Sequence, residues 1–498
     1  MSLGLTPQQI IDKDTHPLLR ISKNWTRIEL HLVADIQNGY AFSSEEFSKD
    51  SGLPLIRIRD ILKHETEDFF TGSFPEEFLV DKGDILIGMD GDFNASVWKG
   101  PTGLLNQRVC RVLPNSKNYF DKFLIICLQP YLNAINSETS AVTVKHLSSR
   151  TIQQIPLPLP PLSEQRAIVS KIEQLFSDLD NGIENFKKAQ AQLKLYRQSV
   201  LKAACEGKLV PTEAELARAE GRDYEAADVL LARILKERQD KWNGKGKYKE
   251  PAAPDTSDLP MLPEGWGWIS IDQISQSIVD CLHSTAKFIP DGKYCIDTNC
   301  IEQGKILFEK ARFVSEETYY ERVSRLVPQA DDILFAREGT IGTAVLVPQN
   351  IELCLGQRMM MFRAANGVIP LYFMWALQSQ IFEKQWKGKV LGSTVPHVNI
   401  GDIKVMAMSL PPTFEQRRIV AEVERRLSVS DKMEETITAS LQKAESLRQS
   451  ILKKAFEGKL LNKRELEKAR NAPDWEPAEK LLERIRQEKA RTGEKKGK

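Results

Sequence analysis

The chain has little of what usually marks an enzyme, a secreted domain or a membrane protein. Its seven cysteines (Cys110, Cys127, Cys205, Cys281, Cys295, Cys300 and Cys354) are odd in number and contain no Cys-x-x-Cys pair, and the six histidines are scattered. Neither a zinc site nor a disulfide framework is supported, no metal is expected, and reduced thiols are the plain reading. The longest apolar run, Phe123 to Leu128, is far too short to cross a bilayer, and the N-terminus lacks the charged-then-apolar order of a signal peptide. A cytoplasmic protein without a membrane partner is therefore expected. Net charge is nearly absent, with 69 Lys and Arg against 68 Asp and Glu, so there is no global basic signature of a nucleic-acid binder. Also missing are the Gly-x4-Gly-Lys-Ser/Thr phosphate loop and the Asn/Asp-Pro-Pro-Tyr/Phe run of an adenine methyltransferase. Asp331-Asp332 resembles a metal pair only in isolation, since Gly83-Asp84 stands in its place elsewhere in the chain. Catalysis by this chain alone is not expected.

What the chain does have is repetition. The stretch from Ile155 to Val210 opens on a proline run, continues with Ser163-Glu-Gln-Arg166 and closes on Arg197-Gln-Ser-Val-Leu-Lys-Ala-Ala-Cys-Glu-Gly-Lys-Leu209. It recurs from Leu410-Pro-Pro412 to Gly458-Lys-Leu460 at a constant offset of 251 residues. The repeat extends upstream with drifting offsets: Gly83-Asp-Ile-Leu-Ile87 against Asp331-Asp-Ile-Leu-Phe335 at 248, and Leu105-Asn-Gln-Arg-Val109 against Leu355-Gly-Gln-Arg-Met359 at 250. From Thr143-Val-Lys-His146 against Thr394-Val-Pro-His397 the offset is 251. Each half thus has a divergent module that tolerates insertions, then a rigidly kept one.

The kept module reads as helix. Ile168, Leu175, Gly182, Ala189 and Tyr196 fall seven apart, as do Ile172, Leu179, Phe186, Leu193 and Val200, which makes an apolar seam over more than four heptads. In the second copy the seam runs through Ile419, Val423, Ile437, Leu447 and Ile451, weakened at Arg426 and Ser430. Ser163 is placed as an N-cap, Thr413 and Gln416 have capping-box spacing, and Gly207 and Gly458 act as stops. Roughly forty residues make a rod of about 60 Å. Shorter charged helices follow at about 213–242 and 475–491. The divergent modules mix β-branched runs such as Leu55-Ile-Arg-Ile-Arg59 and Ala344-Val-Leu-Val347 with glycine turns and a helix-like stretch from Leu371 to Phe382, which reads as α+β.

The expected organisation is a module over 1–155, a helical region over 156–242, a Gly/Lys/Pro-rich linker over 243–261, a second module over 262–405 and a second helical region over 406–498. Two rods with apolar seams would most simply pair about an approximate two-fold axis and run antiparallel. The predicted fold is therefore α+β, with two globular modules joined by two long helices in an antiparallel coiled coil of pseudo-two-fold symmetry. Positive charge follows the rods. Residues 156–250 hold 17 basic and 15 acidic side chains and 406–498 hold 22 and 16, against 15 and 17 in 17–155 and 14 and 16 in 262–405. Two reading heads match duplex DNA, whose half-sites recur at about 34–36 Å per turn.

The doubled Leu159-Pro-Pro-Leu-Ser-Glu-Gln-Arg166 and Leu410-Pro-Pro-Thr-Phe-Glu-Gln-Arg417, the repeated Gly-Lys-Leu finish and the Leu262-Pro-Glu-Gly-Trp266 entry resemble the specificity subunit of type I restriction-modification enzymes. The resemblance covers nearly the whole chain, although Ile21-Ser-Lys-Asn-Trp25 replaces the expected entry to the first module. It implies a non-catalytic subunit whose two target-recognition domains each read half of a split, asymmetric site on double-stranded DNA. It implies as partners two modification subunits, which hold S-adenosylmethionine and methylate adenine at N6, and restriction subunits that use ATP and Mg to translocate and cleave. No cofactor is implied in this chain.

Base reading favours Arg for guanine, Asn or Gln for adenine and Asp or Glu for cytosine. The candidate DNA-binding residues are Arg57, Arg59, Asp90, Asn94, Lys99, Asn106, Gln107 and Arg108 in the first module, and Arg337, Glu338, Thr340, Gln357 and Arg358 in the second. The Gln-Arg pair shared by both modules has an equally good structural reading, because what both heads hold cannot by itself make them differ. His146 and His397 are better explained by a turn than by a site. A scaffold that tethers partners without reading bases is the alternative, and a self-sufficient nuclease or methyltransferase is disfavoured by the missing motifs.

Overall fold

The computed structural model describes residues 5–139, 145–244, 246–392 and 395–496; Thr143 and Thr394 lie outside this range. The chain divides into two compact units. One comprises Met1–Phe186 with Ala439–Lys498, the other Lys187–Thr438. Each therefore draws on both long helices, Leu162–Cys205 and Thr413–Phe456, which have 44 residues apiece.

In the first unit a four-stranded antiparallel sheet runs in the order Ala34–Asn38, Val109–Pro114, Ile85–Gly88, Ala95–Val97. The central strand Ile85–Gly88 is wholly buried, as its unbroken apolar run requires. The helix Asp121–Glu138 covers the sheet with Phe123, Leu124, Cys127, Leu128 and Ile135. A smaller sheet of five short strands carries Leu55, Phe70 and Leu104, which form a core of their own with Phe42. The second unit repeats the first design. Its sheet runs Ser275–Asp280, Met359–Ala364, Ile333–Ala336, Ala344–Leu346, and a second sheet orders Phe288–Ile289, Arg312–Val314, Lys293–Ile296, Leu353–Leu355. Even an ion pair on the interior strand recurs: Arg111 meets Asp84 at 3.0 Å, and Arg363 meets Asp332 at 2.6 Å.

The proline run, which cannot be helical, is a strand. Pro156–Leu159 pairs antiparallel with Thr26–Glu29, and Ala407–Leu410 pairs likewise with Gly267–Ser270. The Glu-Gln pair that follows is buried in both copies. Gln165 accepts from the backbone N of Phe120 at 2.8 Å and donates to the Pro160 carbonyl at 2.9 Å. Gln416 accepts from Ile369 at 2.7 Å and donates to Pro411 at 2.9 Å. Each glutamine thus ties a long helix to its own head by satisfying backbone groups that burial would otherwise orphan. Glu164 receives the indole N–H groups of Trp25 and Trp475, both at 3.2 Å. Glu415 accepts from the backbone N of Glu213 at 2.8 Å, and burial pushes its carboxyl up.

Within each unit the long helices run antiparallel. In the first, Ile168 and Ala455 line one small cavity, while Asp180 farther along reaches Arg448. In the second, Arg197 reaches Asp431, and Cys205 shares a core with Ile419 and Val423. The seam is largely as the heptads place it, with Ile168, Ile172, Leu193, Val200, Ile419, Val423, Ile437 and Ile451 buried and Leu175, Leu179 and Phe186 half-buried. Tyr196 and Leu447 are exceptions, exposed at 41% and 50%. Arg197 and Arg448, one residue on, take their places. Arg426 is drawn along its own helix to Glu422, and Ser430 is buried without a partner for its hydroxyl.

Other expectations also need correction. The first long helix begins at Leu162, so Ser163 lies inside it and is not the cap. Gln416 is spent on Ile369 and Pro411, so no capping box with Thr413 forms, and the Thr413 hydroxyl donates to the Gly367 carbonyl. The charged segments after the rods are two helices each, Glu213–Glu220 with Ala227–Asp240 and Lys463–Arg470 with Ala478–Lys496. Leu371 to Phe382 spans the end of one helix, Pro370–Leu377, and the start of another, Gln380–Lys387. The stops do hold. Gly207 and Gly458 adopt φ of 68° and 70°, and Lys208 and Lys459 donate back to Ala203 and Lys454 at 2.9 and 2.7 Å. All seven cysteines are free and buried.

Candidate nucleic-acid interface

The clearest shared feature of the two heads is a turn that enters a central strand. In the first it comprises Asn106 to Val109, closed by Val109 donating to the Asn106 carbonyl at 3.2 Å, with Arg108 at φ 72°. In the second the equivalent arginine, Arg358, stands at φ 78° ahead of Met359–Ala364. An L-residue held left-handed costs about 1 kcal/mol, which glycine would avoid, yet both heads keep arginine there.

The surroundings match hydrogen bond for hydrogen bond. Met89 donates to the Arg108 carbonyl at 2.8 Å and Arg337 to that of Arg358 at 3.2 Å. Leu147 donates to Met89 at 2.7 Å and Val398 to Arg337 at 3.0 Å, while Gly91 donates to Lys145 and Gly339 to Pro396, both at 3.1 Å. An acidic residue sits inside each frame, bridged through the backbone to a histidine: Asp90 to His146, and Glu338 to His397. Arg108 Nε lies 3.5 Å from Asp90, and Arg358 Nε lies 3.7 Å from Glu338. These separations are longer than a charge-assisted hydrogen bond, and the arginines are about half exposed. The histidines differ. His146 Nδ1 is 2.6 Å from Asp90 and 3.2 Å from Arg108, whereas His397 Nδ1 faces the Val395 carbonyl at 3.3 Å. An open cleft lined by Asn38, Met89, Arg108, His146 and Ser148 adjoins the first turn.

The other candidates separate by what already holds them. Arg57 and Arg59 are not on a strand, since Leu53–Ile56 ends before them. Both guanidiniums, with Lys49, converge on buried Asp68. Burial works to raise the Asp68 pKa, but Lys49, Arg57 and Arg59 outweigh it and hold the carboxyl below its ordinary value. Asn106 is buried, and its side-chain oxygen accepts from the backbone N of Gln107 at 2.9 Å. Gln107 and Lys99 are exposed, and Asn94 is half-buried. In the second head Arg337 is buried between Glu338 at 2.9 Å and His283 at 3.4 Å. Gln357 donates to the His283 carbonyl at 2.9 Å, and the exposed Thr340 donates to the Thr298 carbonyl at 3.2 Å. Asp90 and Arg108 come together, as do Glu338 and Arg358, while Asn106 and Arg337 are buried, Arg57 is half-buried on Asp68, and Arg59 pairs with Asp68 from an exposed position. His146, read from the sequence as a turn residue, is the one addition to the cluster, and its signal was its recurrence as His397 at the 251-residue offset.

No group of three or more His, Cys, Asp or Glu is arranged to hold a metal among the described residues, and no helix there is long and apolar enough to cross a membrane.

Residues 22–190 and 263–443 match a family model described as the type I restriction modification DNA specificity domain. The chain is 33% identical over 504 residues to the type I restriction enzyme EcoBI specificity subunit of Escherichia coli, covering 100% of this chain and 99% of that protein. It is 24% identical to the EcoKI specificity subunit of Escherichia coli strain K12, covering 96% of this chain and 98% of that one. A solved structure described as the structural basis of complex assembly and conformational transition of the type I R-M system resembles it with a TM-score of 0.56 at 16% identity. That likeness covers 89% of this chain and 100% of the other, and it concerns the fold.

Proposed function

Since the chain belongs to the type I restriction-modification DNA specificity family, we propose that it is the subunit that selects the DNA sequence on which such a complex acts. Each head reads one half of a bipartite, asymmetric site on double-stranded DNA. The helical regions hold the heads and dock two modification subunits and, where the system restricts, restriction subunits. The assembled complex would methylate adenine at N6 with S-adenosylmethionine and cleave with ATP and Mg. This chain contributes recognition to that chemistry and carries no cofactor of its own.

The observation that carries this reading is the pairing of sameness with difference. Both units build the same central sheet and the same arginine turn, yet the second sheets and surface loops around them differ. One frame presenting two sets of side chains suits a reader of two unlike half-sites. We assign the recognition domains to 1–155 and 262–405, the helical regions to 156–242 and 406–498, and the linker to 243–261.

The test is to map methylated adenines in host DNA with the native chain and with residues 17–155 exchanged for another head. One half of the split motif should change while the other is kept. If both halves change, the modular reading fails. If deleting the gene leaves the methylation pattern intact, recognition itself is refuted, and the scaffold alternative, which predicts no sequence preference, gains.

A further inference from the structure

We propose that Arg108 and Arg358 are matched phosphate anchors: each leaves its acidic neighbour, Asp90 or Glu338, to bind a backbone phosphate at the same register of its half-site, and neither reads a base. The proposal rests on the DNA-reading function above and assigns these two residues a role within it.

Three observations lead there. Both arginines stand at equivalent positions of two unlike heads, as do the glutamines before them, of which Gln357 but not Gln107 is tied to a backbone carbonyl, and a contact common to two unlike half-sites suits what is common to all DNA, the phosphate backbone. Both occupy a left-handed turn position that glycine fits without strain, so the side chain and not the turn is what is retained. Both are held loosely by their carboxylates, at 3.5 and 3.7 Å and about half exposed, with His146 at 3.2 Å as one further contact of Arg108, so a phosphate can displace the carboxylate easily. The other arginines among the candidates are paired more closely, Arg57 and Arg59 with buried Asp68 and the buried Arg337 with Glu338 at 2.9 Å, nearer than Arg358 stands to the same carboxylate. The heads carry no basic excess, so every uncommitted cation weighs on affinity. Asp90 and Glu338 act as placeholders that fix the arginine before DNA arrives and set the strength a phosphate must exceed.

The experiment uses the full chain assembled with its modification subunits and measures DNA affinity against salt for cognate and unrelated duplexes. Arg108→Gly and Arg358→Gly relieve the left-handed strain, so neither should lower the melting temperature. Each should weaken binding to both duplexes by the same factor and reduce the slope of log affinity against log salt by about 0.9, the value for one phosphate contact. The methylated motif should stay the same. Asp90→Asn should tighten binding to all sequences in the native chain and not in the Arg108→Gly chain, which a purely structural role would not produce; Glu338, which also pairs with buried Arg337 at 2.9 Å, is left unchanged. The proposal is overturned if Arg108→Gly relaxes a base in one half-site and Arg358→Gly a base in the other, or if affinity and slope do not move. A native complex that binds both duplexes equally well would refute the recognition reading itself, apart from any variant.

Discussion

Arg448 of the second long helix pairs with Asp180 of the first, and at the equivalent positions of the other copy, 251 residues earlier for the arginine and 251 later for the aspartate, Arg197 pairs with Asp431. The two contacts are one contact written twice, as an antiparallel pair of related helices requires. Their surroundings are unequal. Asp180 is 60% exposed, while Asp431 is 28% exposed, is shared with Lys305, and has Glu434 beside it as a second partner for Arg197. Arg197→Ala should therefore cost about 2 kcal/mol and Arg448→Ala less than about 1 kcal/mol, since a solvated pair contributes little. Denaturant unfolding of the two variants checks this, and equal losses would show that exposure does not set the difference.

The buried glutamines should be intolerant of charge. Gln165→Met loses two hydrogen bonds at a cost of about 2–3 kcal/mol. Gln165→Glu, nearly the same shape, should cost more, because its carboxylate would face the Pro160 carbonyl that the amide now serves. Gln416→Met and Gln416→Glu should show the same order by thermal melting, and a glutamate tolerated better than methionine at either position would contradict the assignment.

Gly207 and Gly458 stop the two long helices for a steric as well as a conformational reason. A Cβ on Gly207 would lie 2.3 Å from Pro263 Cγ, and one on Gly458 would lie 2.8 Å from Ser22 Cβ. Gly221 shares the left-handed conformation but has open space around it. Gly221→Ala should then cost only about 1 kcal/mol, the conformational part, while Gly207→Ala and Gly458→Ala cost at least about 1 kcal/mol more. Melting temperatures of the three variants rank them directly.

Glu213 and Glu415 are neighbours whose stability contributions respond to pH with opposite signs. Burial works against the Glu213 carboxylate, but Arg418 and Arg222 outweigh it and hold its pKa below the ordinary value. Its contribution is thus complete above the unfolded-state value of about 4.3 and is lost as pH falls through the folded one. Burial lifts Glu415 above its ordinary value, so its contribution is complete below about 4.3 and is lost as pH rises through the raised value. In melting curves over roughly pH 3 to 7, Glu213→Gln should flatten the acid side and Glu415→Gln the other side. The same change of shape in both variants would refute the opposite signs.

Much of this fold is legible in the sequence because duplication supplies an internal comparison. The long helices and their glycine stops follow from spacing, and the end of helix at the proline run follows from what proline cannot do, whereas the pairing of that run as a strand depends on partners far away in the chain. Tyr196 and Leu447 mislead because a seven-residue count drifts about 20° per heptad on a straight helix. Four heptads after Ile168 the drift is about 80°, which carries Tyr196 off the seam and brings Arg197 onto it. The site is less legible. Nothing in the letters distinguishes an arginine consumed by a buried aspartate, as Arg57 is, from one left to solvent, as Arg108 is. The left-handed turns are hidden because the residue that occupies them is not glycine.

The composition of the two units sets an order in time. Lys187–Thr438 is one unbroken stretch, so the second head has every residue of its core once synthesis passes 438. The first head, although it leaves the ribosome first, packs Ile451, Phe456, Leu481 and Ile485 into its core and must wait until residue 485 has been made. A ribosome that stops between residues 438 and 485 would therefore leave a molecule whose later-made half is finished and whose earlier-made half is not.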